Sequence, residues 1–372
     1  MYLSYYYEYS VERNFKEAVY NLLSLVCKKK NVVRLVFFGN PSDNRIFLVQ
    51  RNILQCMVEN ILGGKIPAYS YIAQPVLSSG TLAVEIQVLE DCEDMQWGYF
   101  CYEGVPYVKV INNKNACFLF LSGIFSSDLT ASVEEQTNIV MKIAESVLSH
   151  EKFNISDIVR QWNYIERITE LEDSGKQRYQ VFNDVRSRFY GRAFDMSGYP
   201  AATGIGTCFG GVQIELDAMS NSSVYTFRID NPNQCAAYEY SSDVLVGDYE
   251  KTTPKFERAR CVTLPSGGWI YISGTAAIRG EQTLKSNVVE QAKITLENIQ
   301  KLLEVETLKK WNIQGLPLLK SIRVYVKHAE DMPLIRYCVD SFFQNISVAY
   351  VQANVCREDL LVEMEAEAWL LH

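Results

Sequence analysis

The sequence predicts an α/β protein built from three related units in one polypeptide, and repetition is what predicts it. One strand pattern occurs three times: Leu82-Ala83-Val84-Glu85-Ile86-Gln87-Val88, then Gly211-Val212-Gln213-Ile214-Glu215-Leu216-Asp217-Ala218, then Leu360-Leu361-Val362-Glu363-Met364-Glu365-Ala366. Each copy sets a Glu (Glu85, Glu215, Glu363) inside an apolar strand, and each follows a helix-like stretch, at 51–62, 178–188 and 334–344. A second repeat matches Phe120-Leu121-Ser122-Gly123-Ile124 with Tyr271-Ile272-Ser273-Gly274-Thr275, a strand ending in a Ser-Gly turn. The period exceeds the roughly 20–50 residues of solenoid repeats and fits a fused trimer.

In chain order, residues 2–9 read as a strand and 15–27 as a helix, a shortened version of the half-unit that follows. The strands ending at Ser122-Gly123 and Ser273-Gly274 each lead through a polar stretch into an amphipathic helix. The first helix opens near Val133 and places Ile139, Ile143, Val147 and Leu148 on its buried face. The second opens near Val288 and does the same with Ile294, Leu296, Ile299, Leu302 and Leu303. Spacings of three and four mark one apolar stripe on each. A strand follows each helix, at 155–165 and 322–326. The chain therefore divides at about 1–92, 93–220 and 221–372, with no Pro/Gly/Ser-rich linkers between the parts.

Composition removes several classes of function. A net charge of −8 over 372 residues argues against nucleic acid, whose phosphates require clustered Lys and Arg. The opening Met1-Tyr2-Leu3-Ser4 lacks the basic region and small-residue cleavage site of a signal peptide. No apolar run approaches the roughly 18 residues of a membrane helix. Ten Cys are scattered without CxxC pairs, several in apolar strands, which reads as reduced thiols in a cytoplasmic protein. Three isolated His (150, 328 and 372) leave little for a metal site or a His-based triad. The expected chemistry therefore uses carboxylates, Arg, Tyr and backbone amides, with no metal, no cofactor, and a small anionic substrate as partner. With the trimer inside the chain, no oligomer is required.

Two segments combine residues that a plain core does not require. Gly198-Tyr199-Pro200-Ala201-Ala202-Thr203-Gly204-Ile205-Gly206 lets backbone approach a ligand and exposes amide donors. The plain alternative is a turn and a Gly-rich strand edge, and with no helix pattern after it this is no dinucleotide fingerprint. Lys251-Thr252-Thr253-Pro254-Lys255-Phe256-Glu257-Arg258-Ala259-Arg260 gathers four cations in ten residues, and Arg279 and Glu281 follow an apolar strand. Arg is the natural bidentate partner of a carboxylate. A solvated charged loop is the alternative here.

The Ser-Gly-Thr-Ala turn and the Leu-Val-Glu-Met-Glu-Ala end strand resemble the Rid (YjgF-like, endoribonuclease L-PSP-like) superfamily. Over about 160–372 the resemblance is closer to the chorismatases, carried by Tyr199–Gly206, Asp230-Asn231-Pro232, the stretch 273–280, and Asn354-Val355-Cys356-Arg357-Glu358-Asp359-Leu360-Leu361-Val362-Glu363. It implies three Rid-like (chorismate-mutase-like) units forming an intramolecular pseudo-trimer, the third carrying most of the site. It also implies cleavage of the enolpyruvyl ether of chorismate or a related small cyclic dicarboxylate. Protonating that ether needs an acid whose pKa burial has raised. In this reading Arg258, with Arg279 or Lys255, holds carboxylates, Tyr240 hydrogen-bonds the ligand, and Ala202, Gly204 and Thr275 shape the pocket.

Two departures from the family pattern matter. Where deaminating Rid proteins carry Pro-Ala-Arg-Thr, this chain has Pro200-Ala201-Ala202-Thr203, which makes imine deamination unlike it. Where the chorismatase resemblance leads to Gly-His-Glu, the chain has Gly280-Glu281-Gln282. Either Glu281 is the acid, or Gln282 has replaced it and the site only binds, which would make the chain a non-catalytic small-molecule binding protein. Glu215 is the reserve acid, while Glu85 and Glu363 read as buried structural carboxylates. Within the resemblance Thr275 points to simple hydrolysis, because a Cys in that turn goes with aromatic-forming members. An RNA-cleaving activity fits poorly with the charge and the shortage of His.

Overall fold

A computed structural model describes residues 2–90, 92, 95–112, 116–195, 197–220, 225–245, 251–264 and 267–371. Three sheets follow one another along the chain. The first contains β1 (Tyr2–Ser10), β2 (Val32–Gly39), β3 (Ala68–Ile72) and β4 (Leu82–Glu90), with helices α1 (Phe15–Val26) and α2 (Asn44–Leu62). The second contains β5 (Gln96–Tyr102), β6 (Val105–Ile111), β7 (Cys117–Phe125), β8 (Ile158–Glu166), β9 (Ala201–Thr207) and β10 (Val212–Ser220), with α3 (Val133–His150) and α4 (Arg178–Tyr190). The third contains β11 (Tyr225–Ile229), β12 (Ala259–Leu264) and β13 (Gly267–Ala276). After a small hairpin of β14 (Ile278–Arg279) and β15 (Gln282–Thr283) come α5 (Val288–Leu302) and α6 (Val305–Lys309), then β16 (Leu316–Val326), α7 (Met332–Phe342), β17 (Ser347–Gln352) and β18 (Val362–Leu371).

Strand order repeats with the sequence. The four core strands run β1-β4-β2-β3, β7-β10-β8-β9 and β13-β18-β16-β17, and the second and third sheets each add two edge strands. In each set the last pair is parallel and the others antiparallel. A parallel pair needs a crossover, which α2, α4 and α7 supply. The register makes positions comparable: Arg34 faces Gln87, Arg160 faces Asp217 and Arg323 faces Glu365. Both Ser-Gly turns lie where strand register shifts against the neighbour, in β7 against β10 and in β13 against β18.

Each sheet buries one face under its own two long helices. The opposite faces share two further clusters. One joins Leu3 and Val33 with Phe118, Phe120, Trp269 and Tyr271; the other joins Phe38 and Ile72 with Trp162, Ile205, Tyr325 and Val351. Three equivalent arginines cross between the sheets. Arg34 pairs with Asp217, Arg160 with Glu365 at 2.9 Å, and Arg323 with Glu85 at 2.8 Å. Each arginine thus reaches from one sheet to the next, and the third returns to the first. Gln87 stands where the other two sheets have Asp217 and Glu365, so Arg323 turns to Glu85 two residues away on the same face.

Several boundaries and one face differ from the sequence reading. The helix expected at 51–62 begins at Asn44, where the Asp43 carboxylate accepts from the Ile46 amide. Residues 155–157 form a 3-10 turn before β8. Ile139 is 40% exposed, and the buried stripe of α3 runs instead through Val133, Thr137, Val140, Met141, Ala144, Val147 and Leu148. Among the described residues, no helix is long and apolar enough to cross a membrane, and no cluster of metal-ligating side chains occurs. All ten cysteines are unbridged.

Candidate active site

A pocket opens between the second and third sheets. One wall comes from α4 and β9 through Tyr179, Gln180, Asn183, Ala202 and Gly204; the other comes from Tyr240, Phe256, Arg258, Gly274, Cys356 and Glu363. Its floor rests on small residues. Ala202 corresponds by register to Tyr69 in the first unit and Tyr350 in the third, since each follows the Ala paired with an equivalent arginine. Two of the three related positions therefore carry a phenol, and this one carries a methyl group. Gly204 admits Tyr179, because a Cβ there would lie 2.6 Å from its ring.

Arg258 supplies the positive charge. It is 2% exposed, and its Nε and Nη2 donate to the Cys235 carbonyl at 3.0 and 2.7 Å. Nη2 also donates to the Tyr240 hydroxyl at 2.5 Å. No carboxylate forms an ion pair with it among the described residues, so a buried guanidinium faces the pocket with only the more distant fields of Asp230 and Glu363 against its charge. Behind the α4 wall, Arg186 donates from Nη2 to Asn183 Oδ1 at 2.9 Å. That fixes the amide and leaves Asn183 Nδ2 buried in the pocket wall beside Tyr179, with no hydrogen-bond partner in good geometry among the described residues.

Glu363 is the acid this pocket contains. It is 5% exposed and accepts no protein hydrogen bond among the described residues. Burial pushes its carboxyl up to about 8, the neighbouring Glu365 charge adds to this, and Arg160 and Arg258 only partly offset it. Gly274 gives it room, since a Cβ there would lie 2.3 Å from Glu363 Oε1. The equivalent Glu85 is held by Arg323, and Glu215 accepts from the Ser70 hydroxyl. Of three related glutamates, only Glu363 faces this pocket.

The sequence-derived candidates divide accordingly. Ala202, Gly204, Tyr240 and Arg258 come together in the pocket. Glu281 lies outside it: both its oxygens bind Ser241, from the backbone N–H at 2.8 Å and the hydroxyl at 2.7 Å. Those bonds hold its carboxyl below the usual range, the opposite of what a proton donor at neutral pH requires. Gln282 is exposed on β15. Arg279 points to α5, pairing with Glu297 at 2.5 Å and Asn298 at 2.6 Å. Lys255 donates to Thr253 Oγ1 and faces the Tyr199 ring. Thr275 is buried with its hydroxyl donating to the Ser273 carbonyl, so it presents none to the pocket. Glu215 sits between the first and second sheets, its carboxyl raised by burial.

Glu363 was read from sequence as a buried structural carboxylate, whereas here it lines the pocket; Asn183, Tyr179 and Cys356 were not named as site residues. One usable sign was α4 itself, whose buried positions include Gln180, Asn183 and Arg186 at a spacing of three. A core-facing stripe is ordinarily apolar.

Comparison with known proteins follows the same geography. Residues 109–218 match the family model "Chorismatase FkbO/Hyg5-like, N-terminal", and residues 256–370 match "Endoribonuclease L-PSP". The chain is 34% identical over 227 residues to a 3-hydroxybenzoate synthase of Streptomyces hygroscopicus, covering 58% of this chain and 64% of that protein. It is 30% identical over 214 residues to a chorismatase of the same organism, covering 56% and 60%. The chain thus spans less than two thirds of the length of either curated relative. A crystal structure of chorismatase superposes with a TM-score of 0.72 at 20% identity over 99% of both chains, a likeness of fold. With a chorismatase N-terminal model matched at 109–218 and an L-PSP model at 256–370, the chain is similar to the chorismatases and, in its C-terminal third, to the L-PSP (Rid) proteins.

Proposed function

We propose that this protein cleaves the enolpyruvyl ether of chorismate, or of a closely related cyclic dicarboxylate, and releases pyruvate. The observation that carries this is Glu363: a carboxyl raised to about 8 in a pocket that Arg258 also lines, without an acidic ion-pair partner among the described residues. The three sheets act as an intramolecular pseudo-trimer with one cleft kept open by Ala202. A substrate carboxylate replaces the counter-ion that Arg258 lacks, and Asn183 Nδ2 donates a further hydrogen bond.

Glu363, protonated at neutral pH, gives its proton to the enolpyruvyl methylene carbon, and positive charge develops at the ether carbon. Water adds there, the carboxylate recovers a proton, and collapse of the hemiketal breaks the C–O bond. The products are pyruvate and the ring alcohol, one water being consumed. Low dielectric around Glu363 favours the neutral acid before transfer.

Cys356 favours a second reading of the ring product. Its thiol, raised to about 12 by burial, stands in the pocket wall, and one relative is named a 3-hydroxybenzoate synthase. In that reading the ring aromatises and no net water is consumed. Thr275, in place of a Cys in that turn, remains the ground for preferring hydrolysis, although its own hydroxyl faces the backbone.

The test is to supply chorismate and follow pyruvate through coupled lactate dehydrogenase, with the ring product identified by mass and absorbance. Pyruvate release that disappears in Glu363→Gln supports the proposal. Calorimetric binding without turnover would instead favour a binding protein.

A further inference from the structure

Glu281 lies outside the pocket yet makes two of the strongest contacts near it. It occupies the two-residue turn between β14 and β15, where Arg279 faces Gln282 and Gly280 has φ +59°. This turn braces the cationic side of the pocket at three points. Gly280 N–H donates to the Asn233 carbonyl, and the Cys235 N–H donates to the Gly280 carbonyl, both at 2.8 Å. The Cys235 carbonyl in turn receives the Arg258 guanidinium. The Glu281 carboxylate accepts from both the N–H and the hydroxyl of Ser241, the residue after Tyr240. Its own carbonyl accepts from Arg357 Nη1 at 2.9 Å, and that guanidinium lies 5.1 Å from the Tyr240 ring centre. Tyr240, Leu245, Arg258 and Arg357 all line the pocket.

We infer that Glu281 is a positioning residue, which fixes the 240–245 wall of the pocket and, through Tyr240, the guanidinium of Arg258. Two charge-assisted bonds from one carboxylate to one residue define both the place and the rotation of that residue. Tyr240 follows, and its hydroxyl sets the Nη2 of Arg258. This role rests on the chorismatase-type reading for its catalytic consequence, whereas its structural part stands apart from it. A carboxamide can do the same work, its oxygen accepting the Ser241 N–H and its NH2 donating to Ser241 Oγ. A methyl group cannot.

The experiment compares Glu281→Gln and Glu281→Ala with wild type, by amide hydrogen exchange over 240–245 in the free protein and by pyruvate release from chorismate. The Ala variant is expected to lose protection in this segment and to raise KM about tenfold, a loss typical of a broken positioning contact. Its kcat should stay within about threefold, with the alkaline fall in rate unmoved. The Gln variant is expected to resemble wild type in every measure. Unchanged exchange and unchanged KM in Glu281→Ala would overturn the inference. So would loss of turnover in Glu281→Gln with protection intact, which would make Glu281 the acid. If wild type releases no pyruvate, it is the functional reading that fails, and exchange alone decides the positioning role.

Discussion

The proposed chemistry turns on which of three related glutamates is left without a hydrogen-bond partner among the described residues. Glu85, Glu215 and Glu363 share a strand position, and the sequence reading takes Glu215 as the reserve acid and the other two as structural. The groups that hold Glu85 and Glu215, Arg323 and Ser70, come from other sheets and lie more than a hundred residues away along the chain, so which glutamate stays without such a partner was not legible in a one-dimensional pattern. Arg258, Tyr240 and Ala202 were legible because cations in an acidic chain and a small residue in place of a family Arg can be seen directly. Replacing Glu363 with Gln is expected to lower kcat by about 10²–10⁴-fold, the usual contribution of a positioned proton donor. The same substitution should stabilise the fold, with a sign set by linkage. A carboxyl raised to about 8 in the folded state stays protonated while the unfolded chain ionises near pH 4–5. Stability associated with it is therefore present at acid pH and lost progressively up to about pH 8. The Tm advantage of Glu363→Gln over wild type should be small at pH 5 and larger at pH 8.5, measured by calorimetry at both.

Among the elements, β9 and α4 decide whether a cleft is open. Tyr69 and Tyr350 occupy the related positions in β3 and β17, and Tyr350 is only 8% exposed. A tyrosine is therefore tolerated by the strand geometry at this position. Ala202→Tyr should fold with little change in Tm and lose measurable chorismate binding by calorimetry, whereas Ala202→Gly should retain it. The repeated strand was legible because its period of two, with a polar residue fixed within it, survives in three copies. The polar inner face of α4 was harder to see, since a helix of mixed composition reads as weakly amphipathic until its sheet is known. Ile139 shows the same limit: spacing marks a stripe but not its edges.

For the whole molecule, the arginines at 34, 160 and 323 join the sheets. Arg323 is 3% exposed and lies against Glu85 at 2.8 Å and Glu365 at 3.1 Å. Removing one member of such a buried set leaves uncompensated charge, so Arg323→Ala should cost about 3–5 kcal/mol by urea denaturation. The half-exposed pair of Arg279 and Glu297 offers the contrast, and Arg279→Ala should cost no more than about 1 kcal/mol. The threefold repetition was legible from sequence without any family, because it needs only self-comparison. That the units meet through one arginine each was not, because the shared Val33-Arg34, Val159-Arg160 and Ile322-Arg323 pairs are too short to stand out and the partners Asp217, Glu365 and Glu85 lie far along the chain.

The most direct test of the account is the pH dependence of pyruvate release from chorismate by wild type and Glu363→Gln. The account predicts a rate that holds at neutral pH and falls as pH rises through about 8, where Glu363 ionises, with the Gln variant at or near background throughout. A Glu363→Gln enzyme with wild-type turnover, or a wild-type rate that climbs through the same range, would contradict it.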